Sequence, residues 1–201
     1  MVLAKQELFS DFQKLVKRNR SCRRFDNSHK IDKKTLRQLI ELARNCASAA
    51  NKQPLKYVLC CDENKNSEIF SCLGWAAYLK DWPGPVEKER PSAYIVILGD
   101  HNISDKFWCD HGISAQTILL GARTLGLAGC MFGAINIKKI RNILNLGEHL
   151  EPKLVLALGK PVEEIQIDDL GEDEDIKYWR DENLVHHVPK RKLEDLVLRA
   201  S

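Results

Sequence analysis

Apolar side chains first recur at helical spacing at Leu8, Phe12, Leu15 and Val16. This predicts an amphipathic helix that ends near the basic stretch "KRNRSCRRF". A second helix is expected after Asp32, a suitable N-cap, with Leu36, Leu39, Ile40 and Ala43 on one face. The small residues and proline of "NCASAANKQP" then predict a loop. Tyr57–Cys61 reads as a buried strand, "SEIFSCLGWAAYLK" (67–80) as a helix halted by "DWPGP", and Ala93–Gly99 as the clearest strand, rich in β-branched residues. Few charges interrupt "DHGISAQTILLGARTLGLAG", which predicts a central buried helix with Gly126 near its end. "AGCMFGAIN" is expected to be a strand and turn, with Asn136 capping the short helix "IKKIRNILNL". "KLVLALGKP" reads as a further buried strand, "EEIQIDDLGEDED" (163–175) as a solvated connector, and the apolar tail "YWRDENLVHHVPKRKLEDLVL" as a segment that docks on something. Strands alternating with helices, without an internal repeat, predict one layered α/β domain over residues 1–201.

Composition narrows the function classes. A net charge of +3 on 201 residues is too small to define a nucleic-acid binder. No apolar run approaches the ~18 residues that a membrane span needs, and the charged N-terminal stretch lacks a signal-peptide core. Seven cysteines, an odd number without paired spacing, predict reduced thiols and a cytoplasmic location. No spacing of histidine and cysteine suggests a metal site.

Five cationic side chains fall within the eight residues Lys17–Arg24. Strand-like alternation would separate Arg20 and Cys22 from Ser21 and Arg23 unless a turn gathers them. Gathered, arginine forks and a serine hydroxyl could hold one compact anion. The small residues of "ASAANKQP" permit close approach of a flat ligand, and Asn51 and Gln53 could meet a ring edge. Gly129 and Gly133 flank a short apolar segment whose amides could face such a ligand. Nucleophile motifs, dinucleotide fingerprints and P-loops are missing from the sequence. Asp110-His111 reads as helix capping, and His186-His187 as tail surface or interface. Anion donors without a nucleophile suggest that an organic cofactor carries the chemistry.

In their order and spacing, "NRSCRRFD", "ASAANKQPLKYVL", "GLAGCMFGAI", "LVLALGKP" and "VPKR" resemble the flavin-dependent nitroreductase family over nearly the whole chain. The resemblance implies an α+β fold: a three-layer α/β/α sandwich with a mixed, mainly antiparallel central sheet. It further implies a homodimer with FMN in clefts at the subunit interface. Asn19, Arg20, Ser21 and Arg23 would meet the phosphate, ribityl chain and pyrimidine edge, and Lys190 and Arg191 would help grip the phosphate. Ala47, Ser48, Ala49 and Asn51 would reach the flavin held mainly by the partner. The backbone of Met131, Phe132 and Gly133 would face flavin N5 and O4. The tail from about residue 176 would embrace the partner, with "EDLVL" adding a strand to its sheet.

Asn19 stands where many members have an arginine, Ala47 where many have a proline, and Phe132 where some have an acidic residue. Trp75 and Trp82 are candidates for the pocket wall. The activity implied is ping-pong transfer of hydride from NADH or NADPH, through FMN, to a nitroaromatic, quinone or similar small acceptor. Related chemistries on the same fold are dehalogenation, azoline dehydrogenation and flavin fragmentation, and a non-catalytic FMN binder is the alternative of another class.

Overall fold

The computed structural model describes residues 2–172 and 174–199. Asp173 of the acidic stretch and Ala200 and Ser201 of the tail therefore lie outside the described residues. The chain begins with helix α1 (Val2–Arg18), the two-residue strand β1 (Phe25–Asp26) and helix α2 (Lys33–Arg44). Asp32 caps α2 by accepting from the Thr35 amide at 2.7 Å. Strand β2 (Leu55–Cys60) leads into helix α3 (Glu63–Phe70), and strand β3 (Ala93–Asp100) into helix α4 (Asp110–Thr124). Strand β4 (Ala128–Phe132), helix α5 (Ile137–Leu144) and the long strand β5 (Leu150–Pro161) follow. Asn136 caps α5 by accepting from Lys139 N at 3.0 Å.

The main sheet runs β2-β3-β5 in antiparallel register, and β5 carries both β4 and β1 along its other edge. Every residue of β3 is buried, as expected of a strand covered on both faces. Its period of two divides the core. Ala93, Ile95 and Ile97 pack with Leu36, Leu39, Ile118 and Leu119 of α2 and α4, while Tyr94, Val96 and Leu98 pack with Ile69 of α3 and Ile140 of α5. The result is a helix–sheet–helix sandwich. Among the described residues, no helix is long and apolar enough to cross a membrane.

Two expectations are corrected. The helix expected over 67–80 starts at Glu63, because Asp62 caps it through Lys65 N at 2.9 Å, and ends at Phe70. Residues beyond it turn to bury Cys72 and Leu73, and Gly74 N donates to Ala134 O. The acidic stretch is more than a connector: Ile165–Asp169 form β6, which pairs in parallel with β8 (His186–Lys190) beside the short β7 (Trp179–Arg180). In the single chain, Leu193–Leu196 of the tail form one helical turn, α6. Local bonds from Asp195 N to Lys192 O and Val197 N to Leu193 O satisfy its backbone.

Gly129 joins this scaffold to the basic stretch. Ser21 bridges it and Cys22 N donates to its carbonyl at 3.0 Å. A Cβ there would come within 2.5 Å of Ala157 O and 2.6 Å of the Leu119 side chain. Gly129→Ala is therefore expected to destabilise by about 1–3 kcal/mol, which urea denaturation would measure. An unchanged midpoint would contradict the crowding.

Candidate functional site

Two cavities lie on opposite faces of α4. The first, of about 280 Å³, is lined by Asn19, Arg20, Ser21, Arg23, Gln116, Leu119, Met131, Tyr178, His186, Val188 and Lys190. It thus joins the basic stretch, β4 and the β8 strap, and presents three cations and no carboxylate. A turn at Arg20, whose N–H donates to Arg18 O, breaks the alternation and gathers Arg20, Ser21 and Arg23. Cys22 points instead into the core with Phe25 and Ala128, and burial pushes its thiol up to about 12, leaving it unreactive. Arg20 donates to Asn19 O at 2.7 Å and Val16 O at 3.1 Å, matching a cation to carbonyls at a helix C-terminus. Arg24 turns away into a two-bond pair with Glu89, at 2.8 and 2.9 Å. Lys17 and Arg18 are exposed.

Behind this cavity, a residue without any motif organises the loop. The Glu163 side chain is fully buried; Oε2 accepts from the Arg23 amide at 2.7 Å and Oε1 from the Arg180 guanidinium at 2.6 Å. Arg180 stacks on Trp82 at 4.2 Å. The Arg23 guanidinium donates to Ser21 O and to His186 Nε2, both at 3.3 Å, and lies 4.8 Å from the Tyr178 ring centre. His186, expected at a surface or interface, is 1% exposed within the described chain. Its neighbour His187 is half-buried, stacked on Trp179 and 2.8 Å from Asp168.

Burial, with Arg23 and Arg180 nearby and only Glu163 opposing, lowers the His186 pKa to about 4. An unfolded histidine titrates near 6.5, so between these values the unfolded chain binds the extra proton. Stability from this residue is full above pH ~6.5 and falls by up to about 3 kcal/mol as the pH drops to ~4. His186→Gln should flatten that acid limb in unfolding curves measured across the range; an unaltered limb would count against the assignment.

The second cavity, of about 200 Å³, holds Ala47 and Ser48 together with Cys46, Gln53, Tyr57, Asp110 and Ser114 among its lining residues. Asp110 does more than begin α4. It accepts from Ser48 Oγ at 2.6 Å and Ala49 N at 3.1 Å, fixing the loop in which Ala50, Asn51 and Gln53 adopt positive φ. Tyr57 OH and Ser114 Oγ lie 2.9 Å apart. Asp110→Ala frees that loop, and a loss of about 1–3 kcal/mol is expected for the unsatisfied donors; a thermal-unfolding scan would read it.

Of the residues singled out in the sequence, Asn19, Arg20, Ser21, Arg23, Met131 and Lys190 share the first cavity. Ala47 and Ser48 line the second, with Ala49 and Asn51 in the adjoining 3-10 turn. Phe132 is buried against Trp75, Gly133 is exposed with the Leu154 side chain 3.9 Å from where a Cβ would stand, and Arg191 lines a separate groove with Glu172, Glu174 and Asp175. Trp75 packs on Phe70, Phe132 and Trp82 and lines neither cavity, as is true of Trp82. Glu163, Tyr178, His186 and Asp110 were missed as site residues; an isolated glutamate or histidine carries no local signal of a partner far along the chain. Among the described residues, no group of three or more His, Cys, Asp or Glu could share a metal.

The Nitroreductase family model matches residues 16–83 and 89–160. A Methanothermobacter thermautotrophicus protein assigned as an NADH dehydrogenase/NAD(P)H nitroreductase is 24% identical over 160 residues, spanning 76% of this chain and 78% of its own. Among solved structures, an FMN-dependent nitroreductase of Clostridium difficile matches with TM-score 0.61 and 22% identity, over 85% of this chain and 92% of its own. A nitroreductase-like protein of Streptococcus mutans matches with TM-score 0.66 and 17% identity, over 77% and 91%. With the family model covering most of the chain and the fold shared with these structures, this protein belongs to the nitroreductase family.

Proposed function

We propose that this chain is an FMN-dependent NAD(P)H oxidoreductase that works as a homodimer with a shared cleft. The observation carrying the reading is the first cavity, where Arg20, Arg23 and Lys190 converge without a carboxylate. That donor set, with the Ser21 hydroxyl, fits a phosphate-bearing ligand, and Leu119, Met131, Tyr178 and Val188 provide apolar surface for a ring. FMN would supply the redox chemistry there, accepting hydride from NADH or NADPH and passing electrons to a small organic acceptor such as a nitroaromatic or quinone. Arg20, Ser21 and Lys190 bind the phosphate, Arg23 offsets negative charge on the ligand, and Tyr178 excludes water.

Helix geometry supports the dimer. At about 100° per residue, Asp110 and Leu119 are on opposite sides of α4, so the Ser48 loop held by Asp110 and the cavity at Leu119 face different ways. A second copy brings the Ser48 loop of one chain to the basic cavity of the other. Apolar side chains available to that contact include the exposed Leu8, Phe9 and Phe12 of α1, Trp108 and Ile113 beside and on α4, and Leu193 and Leu196 in the tail. The expected assembly is a dimer binding two FMN.

The test is anaerobic addition of NADH or NADPH to the FMN-loaded protein, followed by a nitroaromatic, with mass measured by sedimentation. Bleaching and recovery of the flavin absorbance in a dimer are expected. Failure of both reductants to bleach would overturn the oxidoreductase reading, and a monomer with full flavin occupancy would overturn the shared cleft.

A further inference from the structure

We propose that His186 is a positioning residue that holds the Arg23 guanidinium without neutralising it, reserving that cation for negative charge on the bound ligand. The inference rests on the FMN reading above. Arg23 is only 9% exposed, a burial at which an arginine normally finds a carboxylate. Its guanidinium meets a carbonyl, an imidazole and a phenol ring, and no carboxylate among the described residues lies within 4.0 Å of it. Glu163, the buried carboxylate nearby, engages the Arg23 backbone amide and the Arg180 side chain. Arg24, one residue on, is paired with Glu89 in the ordinary way, so the chain leaves one of two adjacent arginines uncompensated.

Arginine only donates, so His186 Nε2 must be the acceptor and the imidazole proton sits on Nδ1. The ring is neutral, in keeping with its lowered pKa. It is fixed from two sides: its backbone N–H donates to Glu164 O at 2.9 Å, and its ring packs 5.2 Å from that of Tyr178. A carboxylate at this place would also hold Arg23 but would cancel its field at the ligand; a second cation would drive it away. A neutral acceptor of fixed position does neither. Beside a flavin, an uncompensated cation favours the reduced and more negative form.

His186→Gln can keep a neutral acceptor for Arg23, whereas His186→Glu supplies a negative one. Three quantities are compared in the FMN-loaded proteins: the two-electron midpoint potential, the FMN dissociation constant from flavin fluorescence, and the melting temperature after FMN removal. H186Q should stay close to wild type in the first two. H186E should lower the preference for reduced over oxidised FMN about tenfold, which is about 30 mV more negative for a two-electron couple. Its FMN-free form should melt no lower than H186Q, because the buried charge is now paired. Loss of FMN from H186E with retention by H186Q would support the inference equally. A potential unmoved by H186E, or moved as far by H186Q, would overturn it. Wild-type protein that binds no FMN would instead overturn the cofactor reading on which it rests.

Discussion

Arg23→Met is expected to weaken FMN binding by roughly ten- to a hundredfold, the equivalent of one charge-assisted contact in a partly dry site. The FMN-free variant should be at least as stable as wild type. Both effects follow from one geometry. The guanidinium is nearly buried, and among the described residues its hydrogen-bond and cation–π partners are all uncharged: Ser21 O, His186 Nε2 and the Tyr178 ring. Burying such a charge costs stability, and an apolar side chain of similar volume removes the cost. Methionine keeps most of the stem that packs there, so little cavity is opened. Fluorescence titration with FMN and with riboflavin, together with melting curves of the FMN-free proteins, would separate the two effects. A variant that binds FMN normally, or that melts well below wild type, would show that Arg23 serves the fold.

Glu163→Ala is expected to cost about 3–5 kcal/mol of stability. The substitution leaves the Arg180 guanidinium, with its side chain 11% exposed, without its counter-ion and the Arg23 amide without an acceptor. It also removes one of the links between the basic loop and the β6–β8 strap that carries His186 and Lys190, leaving the Arg23–His186 bond. FMN affinity should fall along with stability, whereas Arg23→Met separates the two. Glu163→Gln keeps the shape and one acceptor, and should recover part of the loss. Chemical denaturation of the three proteins measures this directly; a Glu163→Ala variant within about 0.5 kcal/mol of wild type, the spread of ordinary surface substitutions, would contradict the role given to the buried carboxylate.

The sandwich was legible where local chemistry and burial agree. The unbroken apolar runs of β3 and β5 announce strands covered on both faces, and Asp32 and Asn136 announce the starts of α2 and α5 because capping is decided within four residues. The basic stretch showed its charge but not its geometry: beyond the turn at Arg20, the segment is seated by the bond from Cys22 N to Gly129 O, on a strand more than a hundred residues away. The 163–175 stretch was misread for the same reason. Its acidic residues suggested solvent, but Ile165 packs beside the Phe25 cluster and Glu163 is buried on a partner 140 residues earlier. On α4 the sparsely charged sequence suggested a central buried helix, and the structure leaves Gly112, Ile113 and Gln116 open on one side. No residue in the sequence marks which side that is, since the helix is apolar or small on most faces. His186 and His187 look alike in sequence, and only the parallel pairing of β8 with β6, together with its neighbours in the fold, distinguishes the buried ring from the half-buried one.

The most direct test of the account is titration of the FMN-depleted protein with FMN, followed by quenching of flavin fluorescence. Saturable binding at one FMN per chain, much weaker for riboflavin because Arg20, Ser21 and Lys190 would have no phosphate to hold, is the predicted result. A protein that leaves FMN fluorescence unchanged, or that binds riboflavin as tightly as FMN, would contradict it.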